Sequence, residues 1–199
     1  MKKRRVGIFG GTFNPPHNGH VASAEHFAEQ MKLDKLLIMP AFIPPHKSYL
    51  STVTCEERLK MCQIAFSHIG VAEISDLEIK RGGTSYTYLT LEELSDDETE
   101  LFFLCGTDMI LTMSAWKNPD IIFNLANICY MRREDDIENT HLIDERCREY
   151  TERYGARIYE INGEAIEISS SEIRAFGDNV QKYVPSGVLK YIAEKGLYK

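Results

Sequence analysis

Several features are scarce in this chain, and each scarcity removes a class of function. No apolar run approaches the length needed to cross a bilayer, so a membrane protein built on helices is not expected. Positive charge is in short supply. There are 23 Lys and Arg against 30 Asp and Glu, a formal net charge of −7, and the pI is about 5.4. That balance argues against general nucleic-acid binding, and an anionic ligand would need a local cluster of donors and cations. The five cysteines are odd in number and form no Cys-x-x-Cys pair, which points to a reducing cytoplasm. Basic Lys2 to Arg5 followed by apolar Val6 to Phe9 has the order of a secretory leader. The apolar part is too short and runs directly into Gly10-Gly11, so no leader is expected. Repeats and low-complexity segments are missing as well.

What is present centres on Val6 to His20, reading Val-Gly-Ile-Phe-Gly-Gly-Thr-Phe-Asn-Pro-Pro-His-Asn-Gly-His. Val6 to Phe9 suits a buried strand, and Gly10-Gly11 ends it in a loop with little side-chain bulk. From about Gly19 the apolar residues Val21, Ala24, Ala28 and Met31 recur at helical spacing. Strand, glycine turn and helix start together form an anion site, because free N–H groups and the positive end of the helix dipole meet where no Cβ obstructs approach. The loop matches neither Gly-x-Gly-x-x-Gly nor Gly-x4-Gly-Lys-Ser/Thr, so the two commonest phosphate-binding signatures fail on spacing. What stands there instead is His17-Asn18-Gly19-His20.

The rest of the chain alternates between strands and helices. Strands are expected at Lys35–Met39, Val71–Ser75, Leu101–Cys105, Ile128–Met131, Ala156–Ile161 and Ala165–Ile168. Thr54 and Glu57 have capping-box spacing for a helix with Leu59, Cys62, Ala65, Phe66 and Ile69 on its apolar face. Gly82-Gly83 turns into a helix running to about Leu94, and Pro119 stands at a first helical position. Asp135 to Tyr154 is charged enough to read as a solvated helix. Ser169 and Glu172 form a second capping box, and Ser186 reads as the cap of a last helix ending at Gly196. The fold class implied is α/β, a doubly wound parallel sheet, over one domain spanning residues 1–199 with 169–199 as a helical C-terminal portion. In such a sheet ligands bind where strand order reverses, between the first and fourth strands. The His17/His20 loop would then face Gly106-Thr107-Asp108 across one crevice.

Each candidate has an ordinary alternative. His17 and His20 could be half a zinc site, but no third ligand stands at a telling spacing, and contact with an anion is the better reading. Ser169 to Ser171 could simply cap a helix, and Arg174 could lie on the surface. Lys47 could be a solvated loop residue, and Asp108 could cap the helix that follows it. Trp116, the one tryptophan, could anchor the core or stack on a flat heterocycle.

The chain resembles the nucleotidylyltransferase superfamily at His17-Asn18-Gly19-His20, and within it the bacterial nicotinate-mononucleotide adenylyltransferases from end to end. The carrying motifs are Gly10 to His20, Pro44-Pro45-His46-Lys47, Ser85-Tyr86-Thr87, Gly106-Thr107-Asp108, Trp116-Lys117 and Ile168 to Arg174, in that order. The tail from Val184-Pro185 through Tyr191-Ile192 to Gly196-Leu197-Tyr198 is similar too. Asn14 and Pro16 depart from the Asp and aliphatic residue common there, and Ser171 from the usual Thr. The resemblance implies a Rossmann-like nucleotidylyltransferase that transfers AMP from ATP to nicotinate mononucleotide and releases pyrophosphate. It implies that His17, His20 and Arg174 serve catalysis, and that Gly10, Gly11, Thr12, Phe13, Ser170 and Ser171 join them in binding ATP. Lys47, Ser85, Tyr86, Thr87, Gly106, Asp108 and Trp116 would hold the acceptor. Mg²⁺ is expected to be held mainly by the phosphates, with no protein metal site. Partners are the two nucleotides, with neither nucleic acid nor membrane, and a homo-oligomer is compatible with the sequence. The nearest rival is the same chemistry on another acceptor, such as nicotinamide mononucleotide or phosphopantetheine. A non-catalytic nucleotide sensor is the rival from a different class.

Overall fold

The computed structural model describes residues 2–45, 53–132, 140–163, 168–176 and 182–198. Six strands lie in one sheet: β1 (Arg4–Gly11), β2 (Lys35–Pro40), β3 (Ala72–Ile74), β4 (Thr99–Gly106), β5 (Ala126–Met131) and β6 (Ile158–Ile161). Their order is β3-β2-β1-β4-β5-β6, and every neighbouring pair is parallel. Strand order therefore reverses between β1 and β4, where Phe9 stands opposite Leu104. The unbroken apolar runs of β2, β4 and β5 follow from this architecture, since parallel strands are covered on both faces.

The covering helices are α1 (Asn18–Gln30), α2 (Cys55–Ala65), α3 (Leu77–Arg81), α4 (Thr87–Leu94), α5 (Thr107–Ile110), α6 (Pro119–Leu125), α7 (Thr140–Tyr154), α8 (Ser170–Phe176) and α9 (Ser186–Lys195). One apolar layer gathers Phe27, Leu36, Ile38, Met61, Phe66 and Phe102 on the side of α1, α2 and α9. The other gathers Ile8, Leu91, Ile110, Ile122, Ile128 and Tyr150 beneath α4 to α7. Close approach of α1 to the sheet requires Gly7. A Cβ there would stand 2.3 Å from Leu33 Cδ1 and 2.8 Å from Phe27 Cε1.

Several expectations are corrected. Leu77–Arg81 forms a short helix where no element was expected. Helix α7 is not simply solvated, because Ile143 and Tyr150 are fully buried. On α2 the buried face is Arg58, Met61, Cys62 and Ala65, with Leu59 half-buried, because the helix turns Arg58 and Met61 inward. Ser186 is not a cap. Pro185 holds that position without a side-chain hydrogen bond, and Ser186 is the first helical residue. Ile168 lies in coil, while residues 165–167 of the expected strand at 165–168, like residues 133–139, fall outside the described residues.

Candidate active site

At the carboxyl ends of β1 and β4 the loops part around a cleft of about 960 Å³. One wall runs from Gly10 and Gly11, which continue β1 instead of ending it in a loop, through the β1–α1 loop to His20 in the first turn of α1. Ring faces close its back: Phe13 lies 5.5 Å from Phe9 and 4.9 Å from His20, both edge-on. Phe13 takes a positive φ of 48°, which turns the chain toward Asn14 and Pro15.

His17 is the N-cap of α1, and its relation to His20 is reciprocal. The His20 backbone N–H donates to His17 Nδ1 at 3.3 Å, and the His17 backbone N–H donates to His20 Nδ1 at 3.2 Å. This is a capping box built from imidazoles instead of hydroxyl and carboxylate. With both Nδ1 atoms accepting, the ring proton of each neutral imidazole sits on Nε2. The two rings overlap with their planes tilted by 30°, centroids 3.6 Å apart. The box therefore sets one tautomer for both rings at the positive end of a helix.

Opposite the β1–α1 loop stands α8. Ser169 and Glu172 form the expected capping box: the Glu172 N–H donates to Ser169 Oγ at 3.1 Å, and the Ser169 N–H donates to Glu172 Oε2 at 2.8 Å. Ser170 Oγ donates to the carbonyl of Pro15 at 2.8 Å. Arg174 reaches back from α8 to the same loop. Its Nη1 donates to the carbonyls of Asn14 (2.6 Å) and Ser170 (3.1 Å), and its Nη2 to Ser171 Oγ (3.1 Å). Two helix N-termini from opposite ends of the sequence are thus tied to one loop. Ser170, Ser171 and Arg174 all line the cleft.

The far wall comes from β4, α5 and α4. Gly106 caps α5, and Asp108 lies in its first turn, exposed on the rim. Trp116 follows the 3-10 turn Met113–Ala115, half-buried and edge-on to Phe103 at 6.3 Å. Ser85, Tyr86 and Thr87 lead into α4 and line the same cleft. Ser85 also holds the backbone together here. Its Oγ accepts the Phe42 N–H at 2.9 Å, and its own N–H donates to the Ile43 carbonyl at 2.8 Å. Lys117 places its ammonium 4.6 Å from the centre of the Tyr86 ring. Lys47 and His46 lie outside the described residues. Every other site residue expected from the sequence lines this one cleft.

The sequence reading missed four groups. Tyr198 donates its hydroxyl to Asn14 Oδ1 at 2.6 Å, so both residues belong to the cleft wall. Glu78 and Thr90 line it too, Thr90 donating to Glu78 Oε1 at 2.6 Å. Arg58, with no exposed surface, donates from behind the wall to the carbonyls of Thr12 and Ala41. Only the tail could have been flagged from sequence, since charged residues of α2 and α3 read as solvated faces.

The chemistry available is binding and electrostatic. Burial pushes the thiol of Cys105, which lines the cleft, well above its usual range, so it is no thiolate nucleophile. Among the described residues no group of three or more His, Cys, Asp or Glu is placed to hold a metal. Nor is any described helix long and apolar enough to cross a membrane.

Comparison with known proteins agrees with this arrangement. The cytidylyltransferase-like family profile matches residues 8–176. A probable nicotinate-nucleotide adenylyltransferase of Geotalea daltonii is 36% identical, with 98% of each chain covered. Another from Clostridium botulinum (strain Eklund 17B / Type B) is 37% identical at the same coverage. Among solved structures, Plasmodium falciparum nicotinic acid mononucleotide adenylyltransferase complexed with NaAD superposes with a TM-score of 0.78. It is 20% identical, over 98% of this chain and 97% of that one, and shares the fold. The chain belongs to the cytidylyltransferase-like family and, within it, to the nicotinate-nucleotide adenylyltransferases.

Proposed function

We propose that the cleft joins ATP to nicotinate mononucleotide, giving nicotinate adenine dinucleotide and pyrophosphate, within one domain spanning residues 1–199. A phosphate oxygen of the mononucleotide attacks the α-phosphorus of ATP as the bond from that phosphorus to the bridging oxygen breaks, and pyrophosphate leaves. The attacking oxygen is already anionic, so no general base is needed. Catalysis then consists of holding two anions in line and stabilising charge on the α-phosphoryl and leaving groups.

The observation that carries this reading is the imidazole capping box at α1. It fixes one tautomer for both imidazoles beside a helix N-terminus, in the cleft that Ser170, Ser171 and Arg174 also line. His17 and His20 contact the α-phosphate side, and Gly10 to Phe13 cradle the nucleotide. Ser170, Ser171 and Arg174 hold the β- and γ-phosphates. The acceptor lies against Trp116, Ser85 to Thr87, Gly106 and Asp108, with Lys47 on the adjoining loop.

Mg²⁺ accompanies ATP in this proposal, screening the triphosphate and the departing pyrophosphate. An ion held by phosphate oxygens would find the exposed carboxylate of Asp108 on the cleft rim, suited to binding one of its waters. The free thiols of all five cysteines are in keeping with work in a reducing cytoplasm. The test is pyrophosphate release from ATP and Mg²⁺ with a panel of acceptors: nicotinate mononucleotide, nicotinamide mononucleotide and phosphopantetheine. Release with nicotinate mononucleotide above the others supports the assignment. ATP binding without release for any acceptor would make the protein a nucleotide sensor.

A further inference from the structure

Arg58 sits at the end of the first turn of α2, with none of its surface exposed. Its Nη1 donates to the Thr12 carbonyl at 2.9 Å, and its Nη2 to the Ala41 carbonyl at 2.7 Å and to Cys55 Sγ at 3.2 Å. Thr12 belongs to the loop after β1, and Ala41 opens the loop after β2. A rigid planar fork thus ties two loops that come from different strands to one helix.

The second loop is clasped in turn to the start of α4. Phe42 N–H donates to Ser85 Oγ, Ser85 N–H donates to the Ile43 carbonyl, and Ile43 pairs with Thr84 as an isolated parallel bridge. The Ala41 N–H also donates to the Gly11 carbonyl, at 2.9 Å. A continuous polar path therefore runs from Gly11 and Thr12, on one side of the cleft, through Arg58 and Ala41 to Ser85 on the other. Its members are short-range hydrogen bonds between backbone groups and buried side chains, the kind of connection with little slack.

We infer that Arg58 is a positioning residue that couples the two substrate subsites, setting the nucleotide loop Gly10–Phe13 against the acceptor loop Ser85–Thr87. The inference rests on the proposed assignment of those loops to the two substrates. Ordering of either loop by its ligand passes to the other through the guanidinium, so each substrate binds more tightly once the other is present, by the same factor in both directions. The buried cation also adds a fixed positive potential behind the phosphate-facing loop.

Arg58→Met and Arg58→Lys test this in the full chain. Thermal unfolding and the folded fraction are measured first. Turnover per folded molecule then follows at saturating ATP, Mg²⁺ and nicotinate mononucleotide. The dissociation constant of a non-hydrolysable ATP analogue is measured with and without nicotinate mononucleotide. Wild type should bind the analogue more tightly when the acceptor is present. Arg58→Met should bring that ratio toward one and lower turnover on the order of tenfold to hundredfold, as loop misplacement predicts. Arg58→Lys, able to serve one carbonyl well, should fall between. A wild-type ratio of one overturns the coupling. So do variants that keep both the ratio and turnover per folded molecule while losing only thermal stability. If Arg58→Met does not fold, Arg58→Lys decides by the same two readings. Wild-type failure to release pyrophosphate with any acceptor would instead remove the proposed function.

Discussion

Replacing His17 by Asn and by Ala separates its two roles, because the cap uses Nδ1 and the proposed catalytic contact uses Nε2. Both backbone-to-ring contacts are long, 3.2 and 3.3 Å, at the outer edge of hydrogen-bond geometry. Loss of an N-cap costs about 0.5–2 kcal/mol in general, and the long contacts place this one in the lower half, about 0.5–1 kcal/mol. For a chain of 199 residues that is a fall of about 1–4 °C in Tm. Asn at the same extended backbone (φ −137°, ψ 171°) can offer Oδ1 where Nδ1 stood, so His17→Asn should keep most of the helix start. Its side chain ends too early to supply the Nε2–H. Turnover should therefore drop on the order of 10²–10³-fold in both variants, the usual consequence of removing one preorganised donor to a transition-state oxyanion. Scanning calorimetry beside pyrophosphate release reads the two effects. His17→Asn with turnover within a few-fold of wild type would show that the ring does no work on the phosphate. Equal Tm for Asn and Ala would show that the imidazole box does not hold the helix.

Arg174→Lys should weaken ATP binding and slow turnover roughly tenfold, since one ammonium cannot serve both Asn14 and Ser171 and still fork onto a phosphate; equal ATP affinity and rate would reduce the contact to diffuse charge. Tyr150→Phe removes a buried hydroxyl that donates to the Ile110 carbonyl at 2.8 Å and accepts the Ser114 N–H at 3.3 Å. Leaving such groups unsatisfied costs about 1–3 kcal/mol. Because those groups shape the turn before Trp116, the KM for the acceptor should rise while ATP affinity holds. An unchanged denaturation midpoint and KM would show that the tyrosine is dispensable. Nicotinate mononucleotide should be preferred to its amide by roughly tenfold or more, because the start of α4, which has no side-chain cap, presents the positive end of a helix that suits a carboxylate better than an N–H₂. Equal specificity constants for acid and amide would refute that view of the pocket.

Local chemistry was readable from sequence, and long-range packing was not. The Thr54–Glu57 and Ser169–Glu172 boxes form as spacing predicts, because both partners lie within one turn. Alternation implies a parallel doubly wound sheet, and the crevice lies where its order reverses, between β1 and β4. Ser186 misled because a serine before an apolar run looks like a cap, while the fixed φ of Pro185 already sets the helix entry. Helix α3 has five residues, too few for a period to show. Arg58 was invisible for a different reason. Its acceptors lie 46 and 17 residues away, and a charged residue amid Glu56, Glu57 and Lys60 reads as solvent-facing until the loops are in place. Tyr198 shows in the sequence as part of the similar tail, but its partner Asn14, 184 residues distant, does not.

That last separation bears on how the chain reaches its working state. Arg174 to Asn14, Ser170 to Pro15 and Asn18 to Lys182 are contacts between segments at least 155 positions apart, and they surround the nucleotide cleft. Both ends of the chain must therefore be in place before the cleft is complete. On the proposed assignment of α1 and α8 to ATP, a bound nucleotide would act as a removable cross-link between the two ends of the polypeptide. At a hundred times its dissociation constant it adds about 2.7 kcal/mol to the stability of the native state. On that assignment, raising ATP should slow proteolysis of the folded chain as well as feed the reaction.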